Sequence, residues 1–246
     1  MDTPLRDAAC VSTVVPGWPV AFRGSLAVAA GLSSWSRLRG SRFHRLFLGG
    51  GQRTHPGLTV HRDRIAPGET TRVDDIRCTT PLRTAYDLGR QDDLVEAVVA
   101  VDRLANRHRF PPDLLLHFTA HYRGGPGTTR LCATLAHTNP YAGSPMESRL
   151  RMIIVQAGLP PPRVQWVVQD VDARTAVWLD LAWPEHRIGV EFEGGGHTDP
   201  VEVLRDAGRY TRLVARGWRI YRYTRFDVYG DPGRIITELT HALGRS

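Results

Sequence analysis

The pattern of apolar and polar positions changes character near residue 140. Before it, apolar residues recur in short helical runs broken by Gly and Pro. Arg23 to Arg39 predicts one or two short helices, and Leu58 to Ile65 a strand. Thr80-Pro81-Leu82-Arg83 opens a helix with a Thr cap and Pro in its first turn. Leu94 to Leu104, a run after Pro111-Pro112, and Arg130 to Ala136 read as further helices, with Gly124 to Gly127 between the last two. Within the helix after Thr80, Arg83 and Asp87 stand one turn apart and predict an intrahelix ion pair of a few tenths of a kcal/mol.

After Asn139 to Gly143, a linker, Ser144-Pro145-Met146-Glu147 has the form of a capping box. Leu150, Ile153, Ile154 and Ala157 continue that helix until Gly158. Val164 to Val171 and Ala176 to Trp183 predict a β-hairpin, and Arg187 to Phe192 a third strand. A helix from Val201 to Arg216, a strand from Trp218 to Tyr223 and a last helix from Ile235 to Leu243 follow. The predicted order is α-β-β-β-α-β-α, an α/β sandwich. Its sheet is mixed, because the hairpin is antiparallel and the β-α-β step parallel. Three regions result: residues 1–64, a helical region over 65–140, and an α/β domain over 144–246.

Charge sharpens this division. The 246 residues contain 32 Arg and no Lys, with a net charge of +7. The absence of Lys excludes a Walker-A lysine, a pyridoxal Schiff base and a kinase-type lysine. Residues 1–64 hold nine Arg against three Asp, whereas residues 141–246 hold fourteen Arg against thirteen acids. A basic N-terminal end is suited to nucleic acid. Three scattered cysteines form neither a zinc ribbon nor a disulfide framework, and neither a signal peptide nor a membrane span is encoded. A soluble protein of a reducing cytoplasm, with no membrane partner, is the expectation.

The candidate chemistry lies on two predicted strands. Leu179-Asp180-Leu181 sets an acid between apolar neighbours, and Val190-Glu191-Phe192-Glu193 puts two carboxylates on one face. Exposed acids on a solvent-facing strand are the plain alternative. Grouped carboxylates repel one another and resist desolvation, and a hard divalent cation with oxygen ligands, Mg²⁺ or Mn²⁺, relieves both costs. Gly194-Gly195-Gly196-His197 follows, with a His able to act on water or phosphate. Glu147 shares the register of Leu150 and Ile154, so it is either a capping partner or an inward-facing acid. Gln165 is either a sheet-edge hydrogen bonder or a member of the same group. Arg205, Arg209, Arg212 and Arg216 form one helical stripe, either a solvated face or a track for a phosphate backbone.

The string Asp180…Glu191-Phe192-Glu193-Gly194…His197, with Arg205-Asp206 and Gly217-Trp218-Arg219-Ile220-Tyr221-Arg222, resembles a bacterial domain related to the very-short-patch-repair endonucleases, of the PD-(D/E)xK nuclease superfamily. The resemblance runs from Ser144 to the C-terminus. It implies a restriction-endonuclease-like sandwich and an Mg²⁺-dependent (or Mn²⁺-dependent) DNA endonuclease site made of Glu147, Asp180, Glu191, Glu193 and His197, with Gln165 nearby. Asp180, Glu191 and Glu147 would bind the metal, and Glu193 or His197 would be the general base. The usual lysine is replaced by Glu193. Phe22 to Leu32, Leu38-Arg39-Gly40, Arg45-Leu46-Phe47 and Thr79 to Leu88 are similar to the winged-helix-like segment and helical region of type IV abortive-infection antitoxins. That likeness implies DNA contacts at Arg39, Arg42 and Arg45 and a toxin or defence-system partner. Only Gly49 to Gly57 remains where relatives carry several dozen residues, so this module is reduced. The alternative function is a DNA-binding regulator with an inert nuclease fold.

Overall fold

A computed structural model describes residues 11–12, 45–46, 64–73, 76–122, 124–170, 175–194, 208 and 210–244. The chain forms two compact units: residues 1–90 with 113–128, and residues 91–112 with 129–246.

In the first unit, β1 (Val11–Ser12) pairs with β2 (Arg45–Leu46), and β3 (Thr70–Val73) forms a hairpin with β4 (Ile76–Thr79). Helix α1 (Pro81–Leu88) starts as expected: the Thr80 side chain accepts from the Arg83 N–H, with Pro at the first position. The strand expected over Leu58 to Ile65 falls mostly outside the described residues, and its described end, Arg64 and Ile65, is not strand. The Arg83–Asp87 pair forms at 3.1 Å, but both side chains are fully buried. The arginine also donates to Glu69 at 2.6 Å, to the Arg64 carbonyl at 3.0 Å and to the Tyr122 hydroxyl at 3.2 Å. Arg90 completes the cluster by donating to Asp87 at 2.8 Å and lying over the Tyr86 ring. The expected weak surface pair is therefore a buried network, in which losing one partner strands the other in low dielectric.

The second unit starts with α2 (Leu94–His108) and contains a helix over Thr128–His137 and α3 (Pro145–Gln156). Asp102 of α2 is buried. It accepts from Arg151 at 2.7 Å, from the Ser148 hydroxyl at 2.7 Å and from the Asn139 N–H at 2.6 Å, tying α2 to α3. The sheet comprises β5 (Arg163–Asp170), β6 (Thr175–Trp183), β7 (Ile188–Glu193) and β8 (Arg219–Thr224), adjacent in that order. The first two pairings are antiparallel and the last parallel, as the hairpin and crossover predicted. Residues 210–215 are helical, and the C-terminus adds α4 (Arg225–Gly230) and α5 (Pro232–Ala242). The second unit is thus α/β with a mixed sheet. Among the described residues no helix is long and apolar enough to cross a membrane.

Two apolar layers sandwich this sheet. Leu150 and Ile154 of α3, with Ile235 and Leu239 of α5, pack on Leu181, Trp183, Ile188 and Val190. On the other face Leu213 and Trp218 pack with Val177, Leu179 and Ala182. A regular strand places residues two apart on one face. Leu179 and Leu181 nevertheless belong to opposite layers, so β6 switches faces between them, at Asp180. Gly189 lies under this crossing, where a Cβ would come within 2.8 Å of Leu179 and of Ile220.

Candidate functional site

The face switch has a backbone cause. Gln165, in the middle of β5, has φ 52°, a left-handed value that is rare for a non-glycine residue. The ladder pairs Val164 with Leu181 and Trp166 with Leu179 but skips Gln165 and Asp180. On the other side of β6, pairing with β7 ends at Leu181 and Val190, while β7 continues with β8 through Glu191–Arg222, Phe192–Tyr223 and Glu193–Thr224. The sheet therefore forks, with Asp180 on one arm and Glu191 on the other. The Phe192 N–H, released from β6, donates instead to Asp180 Oδ2 at 2.9 Å. A left-handed residue held there costs roughly 1–3 kcal/mol, the kind of local strain that concentrates at functional sites.

Glu147 reaches the fork from the first turn of α3. Ser144 caps that helix by accepting from the Glu147 N–H at 3.2 Å. The Glu147 carboxylate makes no reciprocal capping bond and turns to the Gly143 N–H at 2.8 Å and to Gln165 Nε2 at 2.9 Å. Gly143 permits this approach, since a Cβ there would stand 3.2 Å from both carboxylate oxygens. Gln165 Nε2 also donates to Asp180 Oδ1 at 3.4 Å, so one amide bridges two carboxylates. Gln165 thus links Glu147 to Asp180.

Glu191 is buried, and the Tyr210 hydroxyl donates to it. Arg222 lies 4.8 Å over the Tyr210 ring and pairs with Glu193 at 3.1 Å, at the exposed rim. Tyr210 was not visible as a site residue in the sequence: it stands in a helix with no motif around it. Among the arginines, Arg212 is exposed, and Arg216 donates to the Gln169 carbonyl at 2.5 Å. Arg45 lies on β2. His197, Arg39, Arg42, Arg205 and Arg209 lie outside the described residues.

The electrostatics follow from this crowding. Asp180 is pushed up to about 7. Burial is the largest cause and the charge of Glu147 the next; Glu191 adds to them, while the Phe192 N–H and Gln165 oppose. This carboxyl thus keeps its proton to much higher pH than an ordinary aspartate.

Relatives occur in Mycobacterium tuberculosis. Two uncharacterized proteins, one from each of two strains, are 29% identical to this chain over 240 residues, spanning 97% of the chain and 86% of their own length. No family model matches the chain, and no solved structure matches it.

Burial and the neighbouring carboxylates both disfavour the charge on Asp180, and a cation beside these groups would relieve their mutual repulsion as a proton does. Oxygen-only ligands suit Mg²⁺ or Mn²⁺. Among the described residues no group of three or more His, Cys, Asp or Glu forms a ready-made metal cage. The donor chemistry of Glu147, Asp180 and Glu191, carboxylate oxygens only, suits a hard cation.

Proposed function

We propose that this protein is a metal-dependent DNA endonuclease whose site is the fork between β6 and β7. The observation that carries the reading is geometric: Asp180 stands where the sheet ladder is broken, and the Gln165 amide joins it to Glu147. The likeness of the acidic string to PD-(D/E)xK nucleases agrees with it, as does a chain rich in arginine.

Asp180, Glu191 and Glu147 would hold Mg²⁺ or Mn²⁺, and the ion would supply Lewis acidity to a phosphodiester oxygen and to an attacking water. The chain's own residues prepare this site. Tyr210 fixes one oxygen of Glu191, and the Phe192 N–H fixes one oxygen of Asp180. Gln165 and the Gly143 N–H orient Glu147. Glu193 or His197 takes the water proton, and Arg222 at the rim offers a cation to a flanking phosphate.

The test is cleavage of plasmid and oligonucleotide DNA with Mg²⁺ or Mn²⁺, by wild type and by Asp180→Asn. Cleavage is expected only with the metal and only with Asp180 intact. Failure to cleave under either metal, or equal cleavage by the variant, refutes the reading.

A further inference from the structure

Trp178 is the exposed indole of the sheet, with 55% of its surface open, whereas Trp183 and Trp218 are buried and Trp166 packs on the core. Isolated exposed apolar residues need no explanation; the register of this one does. Trp178 pairs with Val167. Their neighbours Trp166, Val168, Val177 and Leu179 all pack toward Leu213 and Trp218, so Trp178 and Val167 face the other way. That is the face on which Gln165 meets Glu147 and Asp180. Three zones therefore follow one another along this side of the hairpin. Leu181 is covered by α3; Asp180 and Gln165 meet the start of that helix at Glu147; Trp178 and Val167 lie beyond it. Trp178 is two residues from Asp180, roughly 6.5–7 Å along the strand.

We propose that Trp178 is a stacking platform for an unpaired nucleobase, and that the site takes single-stranded or frayed DNA ahead of intact duplex. This inference rests on the nuclease reading of the fork. An indole offers its π-face to any base, independent of sequence, but a base inside a duplex is already stacked on both sides. A base lying on Trp178 keeps its backbone beside the acidic fork, on the scale that separates a base from its own phosphate. Val167, across the ladder, supplies the apolar floor next to the ring.

The experiment measures binding of a labelled single-stranded oligonucleotide, and of the same sequence as blunt duplex, by anisotropy in Ca²⁺. Wild type, Trp178→Ala and Trp178→Phe are compared in the full chain. Wild type is expected to prefer the single strand. Trp178→Ala should weaken that binding roughly 5- to 100-fold, with little effect on duplex, and Trp178→Phe, which keeps a ring, should restore most of it. Preference for duplex, equal single-strand affinity of wild type and Trp178→Ala, or no binding at all overturns the inference. Cleavage that is lost in Asp180→Asn while Trp178→Ala binds as wild type would overturn the platform and leave the nuclease. Trp178-dependent binding without any cleavage would overturn the nuclease reading and leave a single-strand binding surface.

Discussion

Replacing Asp180 by Asn tests the electrostatics of the fork without reference to any substrate. Asn has the shape of a protonated Asp and can still accept from the Phe192 N–H, but it carries no charge against Glu147 and Glu191. The folded chain raises this carboxyl from 3.8 to about 7. At 1.36 kcal/mol per unit, the ionised form is penalised on the order of 4 kcal/mol. The sign is opposite to that of a salt-bridged carboxylate. Between pH 4 and 7 the folded wild type holds a proton that the unfolded chain has released. Its stability therefore falls as pH rises, by about 1.4 kcal/mol per unit, and the full penalty remains above pH 7. Asn has no such slope. Urea unfolding in a chelator, at pH 5 and pH 8, should show Asp180→Asn gaining on wild type by about 3 kcal/mol between the two conditions. Any fixed cost of the amide cancels in that comparison. A difference between the proteins that is the same at both pH values would refute the placement of Asp180 among like charges.

Glu147→Gln should leave the metal-free fold no less stable, because Gln keeps an acceptor for the Gly143 N–H and removes a charge that raises Asp180. Its increase in melting temperature with Mn²⁺ should be smaller than that of wild type; equal increases would return Glu147 to a local role at the start of α3. Asp102→Ala strands Arg151 in the interior and deprives Ser148 and the Asn139 N–H of their acceptor, so it should cost about 3–5 kcal/mol in urea unfolding. A loss under 1 kcal/mol would mean that the contact between α2 and α3 does not depend on this cluster.

The periodicity of the second unit was legible because each element has a buried face: Leu150 and Ile154 on α3, Val177 and Leu179 on β6, Ile235 and Leu239 on α5. Elements whose buried positions form no apolar periodicity were missed. In the hairpin of Thr70–Val73 and Ile76–Thr79 polar and β-branched residues dominate, and although Cys78 and Thr79 are buried no apolar alternation marks it. In Arg225–Gly230 only Val228 is buried, while Phe226 points to solvent. Of the site, the carboxylates could be read from their spacing, but the way they meet could not. The break in the ladder between β5 and β6 beside the fork falls at one left-handed residue, Gln165, of a type that predicts nothing of the kind. Tyr210 approaches Glu191 from a helix distant in sequence, and only the tertiary fold joins them.

The hydrogen bond to Phe192 does not by itself call for an acid at position 180. Opening the ladder between β6 and β7 releases the Phe192 N–H, which needs an acceptor in a buried setting. An Asn side chain at position 180 would supply that acceptor with no charge. The chain instead places an ionisable group there, beside Glu147 and Glu191, and bears a penalty on the order of 4 kcal/mol whenever it ionises. Hydrogen bonding of Phe192 accounts for an oxygen at this position; it does not account for a third carboxylate. Gln165 makes the same point from the other side, since its amide holds two acids together in a strained backbone where a smaller residue would let them part. The arrangement gathers three carboxylates where β6 and β7 part, which is what the proposed cation site requires.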